Sequence, residues 1–332
     1  MHITPKVCVI GAGNMGTLHA RILSRLKCLG AIADIRVETK KLADRWNIPF
    51  YENYEKMIKE INPSGLVLAT PTHTHFSLTK EILTNFPSIK GILIEKPLAS
   101  SLDEAKELAN IAKDLSTTIL VGHVERYNPV IERMLNILQA NAIGEIRSII
   151  IQRRGAVPEK RIPSIGDVFV DIGVHDFDVL SQILHGEFDM RVVGVKRNGE
   201  TCNAATIVLS KKGGPQCTLI LSREYAGRQR TIDIEGTQAT MIVNLIAQTI
   251  ELRSLGVARG EERATITPFR EGQQMKLYGE PLLEELMDFL DCLAGEKEPK
   301  VSLADGISAL ALIEAAQKSL EKSGVGDIRV AL

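Results

Sequence analysis

The stretch Lys6-Val-Cys-Val-Ile10-Gly11-Ala12-Gly13-Asn14-Met15-Gly16 decides the fold of the first part of this chain. Its apolar run, closed by glycine, reads as a short strand buried on both faces of a sheet. After Gly16 the period changes, and Leu18, Ile22, Leu23 and Leu26 fall on one side at helical spacing. A bare G-x-G-x-x-G is a weak signal; between a strand and a helix it acquires a mechanism. Gly11 permits a tight turn, Gly13 lets a pyrophosphate approach the backbone, and Gly16 lets the helix pack on the sheet. Amides at the helix start, from Ala12, Asn14 and Met15 onward, then face the phosphates.

Asp34 ends the next apolar run, Leu29-Gly-Ala-Ile-Ala-Asp34, at about the 20-residue spacing the motif requires. A carboxylate there accepts from ribose hydroxyls and repels a 2′-phosphate, so the expected cofactor is NAD in preference to NADP. Arg36, two residues on, is the side chain that would tolerate NADP.

Working outward, helical and strand patterns alternate up to residue 122. Helices are predicted over Thr39–Trp46, Met57–Ile61, Phe76–Leu83 and from the Ser101-x-x-Glu104 capping box to Leu115. Strands are predicted near Phe50 and over Gly65–Thr70, Ile89–Ile94 and Thr118–Gly122. That alternation implies βαβ units and a parallel sheet, with ligands at the carboxyl ends of its strands. Two strand ends carry polar chemistry. Ala69-Thr70-Pro-Thr72-His73-Thr-His75 offers hydroxyls and imidazoles, and Gly91-Ile-Leu-Ile-Glu95-Lys96-Pro97 turns from apolar to ionic at its end. Thr70, Thr72, His75, Glu95 and Lys96 therefore join the expected cofactor contacts. His73 and His75 lack flanking ligands, and no metal is expected.

Beyond residue 122 the rhythm changes. Asn128-Pro129 starts a helix to about Asn141, Ile146–Gly155 is strand-like, and a helix is predicted over Asp167–Leu184. Strands without intervening helices follow: Ala204–Ser210, Gln216–Glu224, Arg230–Gly236, Ala239–Asn244 and Thr249–Arg253. Helices from Leu282 to Leu293 and from Ser302-x-x-Asp305 to about Lys322 close the chain. The expected architecture is α/β, an N-terminal Rossmann domain with a parallel sheet over 1–122. A C-terminal α+β domain with a mostly antiparallel open sheet follows over 123–332.

With 40 basic and 41 acidic residues among 332, no broad electrostatic surface for nucleic acid or membrane is expected. No apolar run reaches the ~20 residues of a membrane span. The amino-terminal residues lack the pattern of a secretory leader, and the five cysteines lack pairing or metal spacing. A cytoplasmic protein with reduced thiols is expected.

In the predicted 167–184 helix, Asp171 and His175 stand four apart and so share a face, with Asp178 continuing it. Val168, Phe169, Ile172, Phe177, Val179 and Leu180 surround them with apolar residues, which suggests a partly buried carboxylate–imidazole pair suited to general base chemistry.

Together, Gly11-x-Gly-x-Met-Gly16, Glu95-Lys96-Pro97 and Asp171-x-Gly-x-His175 resemble the glucose–fructose oxidoreductase/inositol dehydrogenase family. The likeness runs through Glu280-Pro281 and Lys300-Val-Ser-Leu-Ala-Asp305. It implies catalysis by Lys96, Asp171 and His175, a cis Lys96–Pro97 bond, and homodimers or homotetramers formed through the open sheet. Gly122-His-Val-Glu-Arg-Tyr-Asn-Pro129 and Arg161-Ile-Pro-Ser-Ile-Gly-Asp-Val168 are similar to the UDP-N-acetylglucosamine 3-dehydrogenases of that family. That implies oxidation of a UDP-sugar at C3. A diphosphate needs cations, for which Arg153, Arg154 and Arg161 are candidates, with Arg126 and Tyr127 lining a sugar pocket. Lys96 and His175 would divide the work, one polarising the hydroxyl and the other taking its proton. The competing expectations are a dehydrogenase or reductase of the same fold acting on another sugar, an inositol, biliverdin or a dihydrodiol, and a non-catalytic NAD-sensing regulator.

Overall fold

The structure, a computed structural model, describes residues 5–159, 162–197, 201–254, 273–322 and 328–332. Two compact units form, one from Met1–Val124 with Glu280–Leu310 and one from Glu125–Gly279 with Ala311–Leu332.

In the first unit β1 (Val7–Ile10), α1 (Asn14–Arg25), β2 (Leu29–Ala33), α2 (Lys40–Trp46), β3 (Phe50–Tyr51), α3 (Tyr54–Ile61) and β4 (Gly65–Leu68) follow one another, then α4 (His75–Asn85), β5 (Gly91–Glu95), α5 (Leu102–Ala112) and β6 (Thr118–Gly122). The six strands are parallel and ordered β3-β2-β1-β4-β5-β6. Every residue of β1, β4 and β5 is buried, as expected for strands covered on both faces. The order reverses between β1 and β4, so the crevice at their carboxyl ends is the topological switch point. Ser101 accepts from Glu104 N as the capping box requires, while the returning bond goes from Ser100 N to Glu104.

The second unit holds α6 (Pro129–Gln139), capped by Asn128 with proline at its start, β7 (Ile146–Gly155), the short α7 (Ile162–Ile165) and α8 (Val174–Ser181). After them come β8 (Glu187–Arg197), β9 (Thr201–Ser210), β10 (Gln216–Ser222), β11 (Arg228–Gly236), β12 (Ala239–Asn244), β13 (Thr249–Ser254) and β14 (Gln273–Lys276). The chain ends with α9 (Pro281–Ala294), α10 (Leu303–Glu321) and β15 (Ile328–Ala331). Its nine-stranded sheet is ordered β14-β13-β12-β11-β7-β10-β9-β8-β15. All neighbours are antiparallel except β7 and β10, which run parallel. Residues alternate across it: Ile149, Ile151, Cys217, Leu219, Ile232 and Ile234 are buried, whereas Ile150, Val193 and Val195 are exposed. Among the described residues no helix is long and apolar enough to cross a membrane.

Two expectations need correction. The predicted single helix over 167–184 is broken in kind: Phe169–Gly173 is a π-helical turn, and only Val174–Ser181 is regular α-helix. Asp167 caps the amides of Phe169 and Val170. Gly173 packs where an added Cβ would lie 2.8 Å from Leu221 Cδ1. A wide turn of this kind is frequent at functional sites.

Residues 280–310, expected in a second domain running unbroken to 332, instead join the first unit. Leu286, Phe289 and Leu293 of α9 share a core with Val7, Val9, Val67 and Leu93. The reason is steric. Gly65 and Gly91 open β4 and β5 without side chains, and a Cβ on either would come within 2.8 Å of Leu293. Phe289→Ala should therefore destabilise the first unit by about 3–5 kcal/mol, measured as a lowered denaturation midpoint; an unchanged midpoint would exclude α9 from that core.

Candidate active site

The glycine turn meets its steric demands. Gly11 has φ +92°, and a Cβ there would lie 2.6 Å from the Ala69 carbonyl oxygen. A Cβ on Gly16 would stand 1.8 Å from the Gly11 carbonyl oxygen, so only glycine lets α1 pack so close. Around Gly13 nothing lies within 4 Å of a built Cβ, which leaves backbone open to a ligand. Helix α1 begins at Asn14 and Met15 with no side-chain cap, so its first amides face outward for an anion. A cleft of about 650 Å³ is lined by Gly11, Gly13, Asp34, Arg36, Thr70 and His73, among others. Open backbone, uncapped amides and a carboxylate at the second strand end suit a dinucleotide.

Asp34 is 8% exposed and already loaded with donors. Ala12 N (2.6 Å) and Arg36 N (2.8 Å) donate to it, and the Arg36 guanidinium adds Nε (3.0 Å) and Nη2 (2.8 Å). Burial alone would raise its pKa, but the Arg36 hydrogen bonds and the two amides hold it below the usual carboxylate range. Arg36 is thus pinned to Asp34. A ribose taking the carboxylate must displace part of that guanidinium, since two oxygens offer about four acceptor positions.

The other expected cofactor contacts divide. Thr70 lines the cleft and Thr72 begins the 3₁₀ turn Thr72–Thr74. His75 is 1% exposed, with Nδ1 2.9 Å from the Pro97 carbonyl and Nε2 2.9 Å from the Thr70 carbonyl. It ties the loop after β4 to the loop after β5, and His73, not His75, reaches the cleft. Burial pushes the His75 pKa down. Glu95 points inward to His19 at 2.7 Å. Lys96, half-buried, follows it and precedes a cis peptide bond to Pro97.

In the second unit, Asp171 sits on the π turn, 3.6 Å from Arg223, with its side chain 21% exposed. Arg223 is itself buried and donates to the carbonyls of Gly166 (2.8 Å) and Cys202 (3.3 Å) and to Asn203 (2.6 Å). His175 lies half-buried in the first turn of α8. The next carboxylates on α8 are locked. Asp176 takes Arg153 Nε at 2.8 Å, and Asp178 takes Arg126 as a bidentate pair at 2.8 Å. Glu125 receives Arg153 (3.0 Å), Arg230 (3.3 Å) and Asn128 (3.2 Å). Burial pushes Asp176 up to about 6, against the pull of Arg153. At Glu125 burial works the same way, but Arg153 and Arg230 outweigh it and lower the pKa. So many buried charges are tolerable only because each is paired. Together they fix α8, and His175 with it, against the sheet.

Of the three cations expected for a diphosphate, the two among the described residues are not brought together. Arg153 is 3% exposed and bound to Asp176 and Glu125. Arg154, the next residue on β7, must point to the opposite face of the sheet, where it meets Gln229 and stacks 4.5 Å above Tyr225. The face carrying Asp171 is the other one, since Gly173 packs on Leu221. Arg126, expected at a sugar pocket, is 6% exposed and taken by Asp178, and Tyr127 beside it is equally buried. Arg161 lies outside the described residues. Glu125, Asp176, Arg223, Arg230 and His19 did not stand out in the sequence. Their signal is only a charged residue set in an apolar run, which acquires a partner after folding.

Residues 5–123 match the oxidoreductase-family NAD-binding Rossmann fold (GFO_IDH_MocA), and residues 136–328 match that family's C-terminal alpha/beta domain. The chain is 25% identical to myo-inositol 2-dehydrogenase of Thermotoga maritima, with 96% of each protein covered. It is 24% identical to UDP-N-acetylglucosamine 3-dehydrogenase of Acidithiobacillus ferrooxidans, covering 93% of this chain and 94% of that protein. The solved structure of that second enzyme has the same fold, with a TM-score of 0.83 at 22% identity over 96% of this chain and 99% of that one. The paired domain matches, in chain order and on the glycine cleft and π-turn helix just described, place the chain in the GFO/IDH/MocA family of oxidoreductases, with an NAD-binding first domain.

Proposed function

We propose that this enzyme oxidises a ring hydroxyl of a small sugar or polyol to a ketone, with Lys96, His175 and Asp171 as its catalytic residues. The observation that carries the reading is His175: a half-buried imidazole on a helix whose two neighbouring carboxylates are pinned by Arg153 and Arg126. Such a base is held in place and spared competition from those acids. NAD, when bound, supplies the hydride acceptor. The Gly11–Gly16 turn and the first turn of α1 hold its pyrophosphate, and Asp34 its ribose. His175 takes the hydroxyl proton at an imidazole nitrogen, and the Lys96 ammonium stabilises the oxygen as it gains charge. Asp171, braced by Arg223, contacts a neighbouring hydroxyl.

The substrate preference rests on the candidate cations among the described residues. Arg126, Arg153 and Arg154 are all engaged within the second unit, which favours an uncharged ring such as an inositol or a free sugar over a nucleotide sugar. The second reading, C3 oxidation of UDP-N-acetylglucosamine, is supported by the 122–129 and 161–168 stretches and by the relative of that activity. A panel of inositols, free sugars and UDP-sugars, followed by reduced-nicotinamide absorbance, separates them: turnover of UDP-N-acetylglucosamine alone would overturn the preference. We also assign pairing of copies to the sheet face bearing Ile150, Val193 and Val195.

Lys96→Ala and His175→Ala should each lower turnover at least ~100-fold while NAD still binds; near-normal turnover in either removes that residue from the mechanism. Asp34→Ser should raise the KM for NAD about tenfold and bring NADP into use, since loss of the anion removes both ribose acceptors and the repulsion. An unaltered NAD/NADP ratio would show that Asp34 serves the turn alone.

A further inference from the structure

Three ionisable side chains meet inside the first unit. His19 comes from α1, Glu95 from the last position of β5, and Glu285 from α9, and all are buried. One ligating atom from each lies within 4.8 Å of the others. His19 Nε2 is 2.7 Å from Glu95 Oε1, whereas both oxygens of Glu285 and Nδ1 of His19 are buried with no hydrogen-bond partner. Two anions at such close quarters, out of water, is an arrangement proteins avoid by taking up a proton.

The protons can be assigned from the surroundings. Burial would raise Glu95, but the hydrogen bond from His19, then Lys96 and His75, bring it below the usual range. It is the anion, so Nε2 must donate. For Glu285, burial, then Glu95, then Asp288 all push it well above the usual range. The charged or titratable groups facing the cluster are therefore His75 from α4, Lys96 after β5, and Asp288 from α9.

We propose that His19 is a positioning residue for Lys96, acting through Glu95: His19 holds one carboxylate oxygen, the other accepts from the Lys96 backbone amide, and Glu285 closes the buried side of the cluster. The Lys96 amide lies 3.3 Å from Glu95 Oε2, so the anion and the lysine share one strand end. The proposal rests on the catalytic reading of Lys96.

The test uses the full-length enzyme. His19→Leu removes the donor, so Glu95 holds a proton to higher pH; kcat at neutral pH should fall about tenfold and its acid limb move up by about a pH unit. The Kd for NAD should stay within about twofold. His19→Gln, which keeps an N–H for Glu95, should recover most of kcat. Glu285→Gln is read by stability. A carboxyl raised in the folded state contributes its stability below the unfolded pKa near 4.3 and loses it as pH climbs toward the folded value. The variant lacks that loss, so its Tm should gain on wild type as pH rises above the unfolded value. If His19→Leu keeps the wild-type kcat profile while Lys96→Ala is inactive, the positioning role is overturned and the Lys96 reading stands. An active Lys96→Ala overturns both. Stoichiometric divalent metal in the purified protein, lost in Glu285→Gln, would show a metal site in place of the Glu285 proton and overturn the assignment.

Discussion

The first unit hangs on the approach of α1 to the carbonyl of Gly11. With no room for a Cβ at Gly16, the helix starts hard against the end of β1, and two consequences follow from one contact. Its unbonded amides face the cleft at the switch point of the sheet. Its next turn is carried inward, so that His19 lies fully buried within reach of Glu95. The surface that accepts phosphate and the interior that holds a charge at the end of β5 are set by the same packing distance. Substituting Gly16 would disturb both at once.

The second unit solves a different problem, the burial of charge. Arg153, Glu125, Asp176, Arg126 and Asp178 are each nearly inaccessible, and none would be tolerated alone. Paired, they replace apolar packing with directional contacts between β7, α8 and the turn Val124–Tyr127. Directionality is what a helix holding an imidazole at a fixed height needs. A purely apolar helix can slide or rotate by a fraction of a residue at small cost, whereas a bidentate guanidinium fixes rotation and height together.

The parallel sheet and the glycine turn were legible because period, punctuation and spacing are local properties of the chain. So were the caps at Asn128 and Ser302, whose side chains bond within a few residues. What stayed hidden is non-local. Arg153 and Arg154 look equivalent in sequence, and only strand alternation sends one to a buried ion pair and the other to Tyr225. The π turn cannot be read from Asp171-x-Gly-x-His175, because Leu221 on another strand shapes it. Glu285 resembles any acid on an amphipathic helix until α9 is seen to cover β4 and β5. Asp34 was identified by position, but its capture of Arg36 depends on how the chain turns after β2.

The return of α9 to the first unit has a consequence for the order in which the protein is made. The sheet of β1 to β6 is complete once residue 122 has been synthesised, yet Leu286, Phe289 and Leu293 are encoded after the whole of residues 125–279. Until then the starts of β4 and β5, where Gly65 and Gly91 offer no side chains of their own, emerge from the ribosome uncovered. At about 5–20 residues per second that interval lasts on the order of ten to thirty seconds. The nascent first unit is thus a platform awaiting its lid, and the step that seals it is also the step that brings Glu285 to His19.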